Sequence, residues 1–197
     1  MEEQIQKIDE KSEVASFPNV AFIGFFASGK TYYANILAKK LEEYGISAHR
    51  ISIANKIKEI AKDVFDMKGK DRRLLQTLGA KMREINEDVW INYLILDVKR
   101  HNKTPFIVDD VRFRNEVNLI RRNYPNFIIV RLFADTDKRL NVYADLYGRK
   151  PTKEEMNDPT EVDIDNIKYD ESIMNDYLPE TAEKSIDKLI KNYLNKK

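Results

Sequence analysis

IGFFASGKT, residues 23–31, carries the first firm reading of this chain: Gly24, Gly29, Lys30 and Thr31 fill the fixed places of the pattern G-x-x-x-x-G-K-[ST]. Before it lies NVAFIG (19–24), a β-rich apolar run ending in glycine. After it, Tyr33, Ile36, Leu37, Leu41 and Tyr44 recur on one helical face, with Gly45 placed as a stop. A loop between a strand and a helix turns the backbone N–H groups of residues 25–30 inward and adds the positive end of the helix dipole, so it suits a phosphate. Lys30 is expected to reach the β- and γ-phosphates, Thr31 to offer its hydroxyl to Mg²⁺, and Gly24, Ala27, Ser28 and Gly29 to shape the cradle. Phe25 and Phe26 are bulkier than such loops usually carry, and their side chains are expected to point away from the phosphates. The bland alternative is a glycine-containing turn with a lysine by chance.

Along the rest of the chain short apolar runs alternate with helical periods, the pattern of a βαβ protein. SAHRISI (47–53), TPFIVDD (104–110), NFIIVRLFA (126–134) and DESIMN (170–175) are the further strands expected, and AEKSIDKLIKNYL (182–194) reads as an amphipathic helix. Residues 54–102 read as helical throughout, in three helices around NKIKEIAKDVF, DRRLLQTLGAKMREI and DVWINYLILDVKR. A chain of 197 residues with 34 Lys+Arg against 33 Asp+Glu is one ordinary domain without a global field for nucleic acid or an anionic membrane. Cysteine is absent, which excludes disulfides and thiolate metal sites. His49 and His101 are isolated in sequence, lack a ligand-spaced partner and receive no role. Residues 1–16, with five acidic and two basic side chains and no apolar core, are expected to be a disordered arm rather than a signal peptide. No run approaches the ~20 apolar residues of a membrane span. The expected location is the cytoplasm, that of a host if the source is viral.

A phosphate-binding loop alone does not separate hydrolysis, switching and phosphoryl transfer. Transfer between two phosphates brings two polyanions together and calls for cations around the transferred group and the acceptor. The chain offers Lys58, Arg72, Arg73 and Arg83 in the helical stretch, Arg112 past the third strand, and Arg139 and Arg149 after the fourth. Singly, each reads as a solvated surface cation. Their placement after successive strands, where open α/β sheets bind ligands, points to a site. In FIVDDVRFRNE (106–116) two acids end a buried strand, and neighbouring strand residues face opposite ways. Asp109 is assigned to Mg²⁺, and Asp110 to capping the next helix or holding an arginine. The alternative is that both cap the helix starting near Arg112.

Together with ANKIKE after the second strand, DRRLLQTLG and DVW in the helical stretch, VDDVRFRNE, and the acidic TEVD followed by DESIMN, these residues resemble the small deoxynucleoside monophosphate kinases of bacteriophage type, within the P-loop nucleoside monophosphate kinase group. The resemblance runs from about residue 19 to 194. It implies an α/β P-loop NTPase fold, with a five-stranded parallel sheet in the order 2-3-1-4-5 flanked by helices. Residues 17–197 would form one kinase domain, with an acceptor-binding insert at 54–102 and a mobile lid at 135–161. The implied reaction is ATP-dependent phosphoryl transfer to a (deoxy)nucleoside monophosphate. On this resemblance Lys30, Asp109, Arg112 and Arg139 are catalytic. Gly24, Ala27, Ser28, Gly29, Lys30, Thr31, Arg139 and Asn175 bind ATP. Lys58, Arg72, Gln76, Gly79, Arg83, Trp90, Arg112 and Arg149 bind the acceptor, and Thr31 and Asp109 hold Mg²⁺.

The insert can also be read physically. Arg72, Gln76 and Gly79 fall at i, i+4 and i+7, so one helix face can offer a guanidinium, an amide and a bare backbone, with Leu74, Leu75 and Leu78 as the buried side. Trp90, the only tryptophan, either stacks on the acceptor base or belongs to the core. Asn175 either sits beside adenine or makes a turn. Residues 112–150 hold nine basic against four acidic side chains, and 151–180 two against ten. The acidic part is read as a solvated face, and Arg139 and Arg149 as lid cations. Two other classes stay open: the same donor loop with a non-nucleotide acceptor, as in phosphomevalonate kinases of the animal type, and a non-catalytic nucleotide-binding protein. The expected partners are ATP and a nucleoside monophosphate, with neither nucleic acid nor membrane. The base, the sugar and the formation of a homodimer are left open.

Overall fold

The five apolar runs become β1 (Asn19–Ile23), β2 (His49–Ile51), β3 (Phe106–Val108), β4 (Phe127–Ala134) and β5 (Glu171–Asn175) in a computed structural model that describes residues 17–69, 71–101 and 105–194, the side chains of Arg72 and Thr160 excepted. The arm expected at 1–16 lies outside the described residues. All strand pairs are parallel, and their order is β2-β3-β1-β4-β5, as the resemblance implied. Between and after the strands run α1 (Lys30–Glu43), α2 (Ile53–Phe65), α3 (Arg72–Ile85), α4 (Val89–His101), α5 (Arg114–Asn123), α6 (Thr136–Tyr147), the single turns α7 (Lys153–Met156) and α8 (Pro159–Val162), a 3₁₀ turn (Asp163–Asn166) and α9 (Pro179–Leu194).

The central strand is buried on both faces, so it reads as an unbroken apolar run. Val20 and Phe22 pack with Tyr33, Leu37 and Leu41 of α1 and Ile186 and Ile190 of α9. Ala21 and Ile23 pack on the other side with Ile53 of α2, Ile91 and Leu94 of α4 and Ile120 of α5. Three layers result, and the carboxyl ends of the strands open between them. Gly45 stops α1 as expected, at φ 73, with the Ile46 N–H returning to the Leu41 carbonyl. Tyr44, expected on the buried face, is instead the C-cap and half exposed, because the chain has already left the helix. The strand expected over 47–53 shrinks to three residues, since Ser52 is the N-cap of α2. Pro179 starts α9 three residues before the expected stretch, where its fixed φ suits the first turn. Leu74, Leu75 and Leu78 are only half-buried, because α3 packs mainly on α2 and α4, at the margin of the layers. No helix among the described residues is long and apolar enough to cross a membrane.

Candidate active site

The loop that follows β1 has a shape only glycine permits at two points. Gly24 has φ 150, and a Cβ there would stand 2.7 Å from both the Leu132 carbonyl oxygen and Ser28 Oγ. Gly29, at φ 92, starts α1, and a Cβ would stand 2.7 Å from Asn175 Nδ2. Lys30 Nζ donates to the carbonyl oxygens of Gly24 and Phe25, each at 2.7 Å, so the loop is closed around its own cation. Burial holds the Lys30 pKa well below its usual value, and the Arg112 charge adds to this, while Glu161, Asp109 and Asp110 pull it back up. Thr31 is exposed at the first turn of α1.

The loop is braced from the end of β5. Asn175 Nδ2 donates to the Ser28 carbonyl at 3.1 Å, its Oδ1 accepts from the Tyr177 N–H at 2.9 Å, and Tyr177 Oη donates to the Ala27 carbonyl at 3.0 Å. Asn175, expected beside adenine, is therefore a buried strut with its amide committed to the loop. Phe25 and Phe26 are a platform for α6. The Arg139 guanidinium stands 4.4 Å from the Phe26 ring centre and 5.0 Å from that of Phe25, and Tyr143 of α6 meets Phe26 edge-on at 5.0 Å. Arg139 thus sits at the loop, its pKa lowered by burial.

Glu161 enters this loop from α8. Its Oε2 accepts from the Phe26 N–H at 2.7 Å, its Oε1 accepts from Arg112 Nη1 at 3.0 Å, and the residue is buried. A carboxylate therefore holds a backbone donor and an arginine that a phosphate oxygen would use. The acidic segment is not simply a solvated face, as was expected. Arg131 of β4 donates to the Ile164 carbonyl and to Asp165, and Asp163 accepts from the Arg114 N–H at 3.0 Å, so the whole turn is tied down.

The two aspartates after β3 have partners other than those expected. Asp109 is the one that holds an arginine: its Oδ2 accepts from Arg50 at 3.0 Å, while its buried Oδ1 has no partner. Asp110 caps the start of α2, not the next helix, with Oδ2 accepting from the Ala54 N–H at 2.6 Å and Ser52 Oγ at 2.9 Å. Burial raises its pKa. Oδ1 of Asp109 and Oδ1 of Asp110 are both buried without a hydrogen-bond partner, and with the Thr31 hydroxyl they are oxygen donors of the kind Mg²⁺ takes.

Beside the loop, α2 and α3 and the segment after β3 enclose a cleft of about 550 Å³, lined among others by Lys58, Gln76, Gly79, Arg83, Arg112 and Phe113. Glu116, buried at the start of α5, organises it: Oε1 accepts from Arg83 at 2.9 Å, and Oε2 from the N–H groups of Arg112 and Phe113 at 2.9 and 3.2 Å. The Arg83 guanidinium stacks over Phe113 at 4.7 Å. Gln76 donates to Asp158 at 3.3 Å, and Lys58 to Asn55 at 3.2 Å. Trp90 belongs to the core. It is 2% exposed, and its Nε1–H donates to the Gly79 carbonyl at 3.0 Å, which anchors α3 on α4 rather than facing the cleft. Arg149 is outside the cleft lining, paired through both terminal nitrogens with Glu155 at 2.8 Å. The Arg72 side chain lies outside the described residues.

No protein-family model matches the chain, and no curated protein matches it in sequence. Solved structures match it by shape. A sugar kinase from Janibacter sp. superposes with a TM-score of 0.56 at 14% identity, covering 90% of this chain and 94% of that one. Shikimate kinase from Aquifex aeolicus gives 0.54 at 15%, covering 88% and 97%. APS kinase from Mycobacterium tuberculosis, in complex with AMPPNP and APS, gives 0.51 at 13%, covering 89% and 96%. The fold is that of the P-loop kinases. At these identities the likeness carries the fold alone.

Within the P-loop kinase fold, this chain's loop and cleft share one cation. Arg112 lines the cleft, bonds the carboxylate lying in the loop, and bears on the charge of Lys30. Four residues that organise the site were not foreseen from sequence: Arg50, Glu116, Glu161 and Tyr177. Glu116 was the most accessible, since an acid in the first turn of a helix suits its dipole. Arg50 and Tyr177 act through partners distant in sequence and left no local signal.

Proposed function

We propose that the chain is an ATP-dependent phosphotransferase, with ATP in the glycine loop and a nucleoside monophosphate in the adjoining cleft. The observation that carries this reading is Arg112, a cation common to both sites, as transfer between two polyanions requires. Residues 54–102 then act as the acceptor-binding insert and 135–161 as the lid, with Arg139 bearing on the donor phosphates. The cleft suits a nucleotide through Gln76 for a base edge, Phe113 and Ile57 for its faces, and Arg83 and Lys58 for the acceptor phosphate. Thr31 and Asp109 would hold Mg²⁺, which when bound neutralises charge on the β- and γ-phosphates. An acceptor oxygen that is already ionised needs no strong general base, so the residues' work is to position the two substrates and to exclude water.

The test is ADP release from ATP with Mg²⁺ and a panel of ribo- and deoxyribonucleoside monophosphates. Turnover that depends on one or a few of them is the expected result. Turnover with mevalonate phosphate alone would replace the nucleotide acceptor. ATP binding without turnover on any acceptor would leave a nucleotide-binding protein.

A further inference from the structure

His49 and His101 are the only histidines of the chain, and cysteine is absent, so the two imidazoles are its whole supply of the side chains transition metals favour. The fold brings them together, which their isolation in sequence did not suggest. His49 opens β2 at the edge of the sheet, while Asp97 and His101 stand one turn apart at the C-terminal end of α4. His49 Nε2 lies 3.1 Å from Asp97 Oδ2, and His101 Nδ1 lies 3.5 Å from Asp97 Oδ1. The ring centres are 4.8 Å apart with planes inclined by 32°. One ligand atom from each of the three side chains lies within 4.8 Å of the other two.

We infer that His49, Asp97 and His101 form a binding site for a divalent transition metal of the Zn²⁺ class. Tetrahedral Zn²⁺, with bonds of about 2.0–2.1 Å, sets neighbouring ligand atoms roughly 3.3 Å apart and two bound imidazole centres roughly 5 Å apart. The distances here are close to that arrangement, and His101 is exposed enough to turn into it. Two imidazoles and a carboxylate are a donor set that suits zinc, with the fourth position left to water. To bind through Nδ1, His101 exchanges its 2.9 Å contact with the Asp97 carbonyl for the metal and carries its proton on Nε2. The partial negative charge at the end of α4 also favours a cation. Among the described residues no lysine or arginine pairs with Asp97, so its carboxylate is not already neutralised by a fixed cation. The site lies at the amino end of β2, away from the glycine loop, and would tie the edge strand to the last helix of the insert. It is independent of the phosphotransfer reading.

The experiment uses untagged full-length protein, stripped with a chelator and kept in excess Mg²⁺. Zn²⁺ is titrated calorimetrically, Co²⁺ by its visible absorption, and thermal unfolding is followed with and without Zn²⁺. The expected result is one Zn²⁺ per chain, a higher Tm with Zn²⁺ present, and a Co²⁺ band of low-coordinate intensity. His101→Gln, an exposed position with native circular dichroism expected, should weaken Zn²⁺ at least ~100-fold, more than the ~10–100-fold that a supporting partner costs. It should also abolish the Tm rise. Asp109→Asn should leave Zn²⁺ binding unchanged. No saturable binding by the native chain, or equal binding by folded His101→Gln, would overturn the inference and leave a hydrogen-bonded histidine–carboxylate clasp.

Discussion

Glu161 and Lys30 oppose each other across the glycine loop, one holding a backbone donor that phosphate would use and the other the cation that would meet it. Glu161→Gln keeps the size of the side chain and removes its charge. ATP should bind the variant about tenfold more tightly, or about 1.4 kcal/mol, as read by calorimetry; equal or weaker binding would show that the carboxylate does not compete with phosphate. Lys30→Ala should lower turnover by ~10³-fold or more with circular dichroism unchanged, since the loop backbone persists while the bridging charge is lost. Asp110 gives a pH signature. Burial raises its pKa, so the folded chain holds that proton more tightly than the unfolded chain. The stability linked to it is present below the ordinary carboxylate value and is lost as pH rises through the folded one. Asp110→Asn retains an oxygen for the Ala54 N–H, and its Tm should gain on that of the native chain as pH rises from about 4, the ordinary carboxylate value, toward neutrality. A constant gap across that range would contradict the assignment. Gly24, Gly29 and Lys30 were legible because a phosphate loop is written in consecutive residues. Glu161 was not: it is one of ten acids between 151 and 180, and its partner Phe26 lies 135 residues away. Strand alternation separated Asp109 from Asp110, but the partners of each come from β2 and α2, which no local pattern reveals.

The helices of the insert show how an element can be legible in kind and illegible in placement. Long helical periods identified all three, and their limits fall near those expected. The leucines do mark the more buried side of α3, but only half-buried, because three leucines at helical spacing say nothing about how much protein stands opposite them. The Trp90 indole on the Gly79 carbonyl ties α3 to α4, and Arg83 on Glu116 ties it to α5. Trp90→Phe keeps most of the core volume and removes that donor. It should cost about 0.5–1.5 kcal/mol in denaturant unfolding, the net worth of one hydrogen bond, because the Gly79 carbonyl still accepts from Arg83 Nη1 at 3.4 Å. The KM for the acceptor should stay within about twofold, since the ring packs in the core and not along the cleft. A large rise in KM at unchanged stability would return Trp90 to the acceptor site. Helix α6 is better anchored than its sequence suggested. Phe25 and Phe26, which looked oversized for the loop, are what α6 rests on through Arg139 and Tyr143.

At the scale of the molecule, strand existence followed from apolar runs, whereas strand order came only from the resemblance to P-loop kinases, since no periodicity encodes which strands become neighbours. The order has a consequence for how the protein comes into being. β1 is the first strand made and sits in the middle of the sheet, and its neighbours β3 and β4 are encoded far downstream: Val20 pairs with Ile107 and Asn19 with Phe127. The braces of the glycine loop come later still, with Asn175 147 residues beyond Ser28 and Tyr177 150 residues beyond Ala27. A chain ending at residue 169 keeps the entire loop motif but lacks β5 and both braces, and it should show no ATP binding by calorimetry; retained affinity would mean that the loop holds its shape alone. With contacts this distant, folding is slow relative to helical proteins of similar size. At synthesis rates of about 5–20 residues per second, the loop motif waits roughly 8–30 s between its own translation and that of its last brace. During that interval the nascent chain carries a phosphate-loop sequence without its braced loop, so on the proposed function ATP would not guide its folding and would only lock the finished sheet.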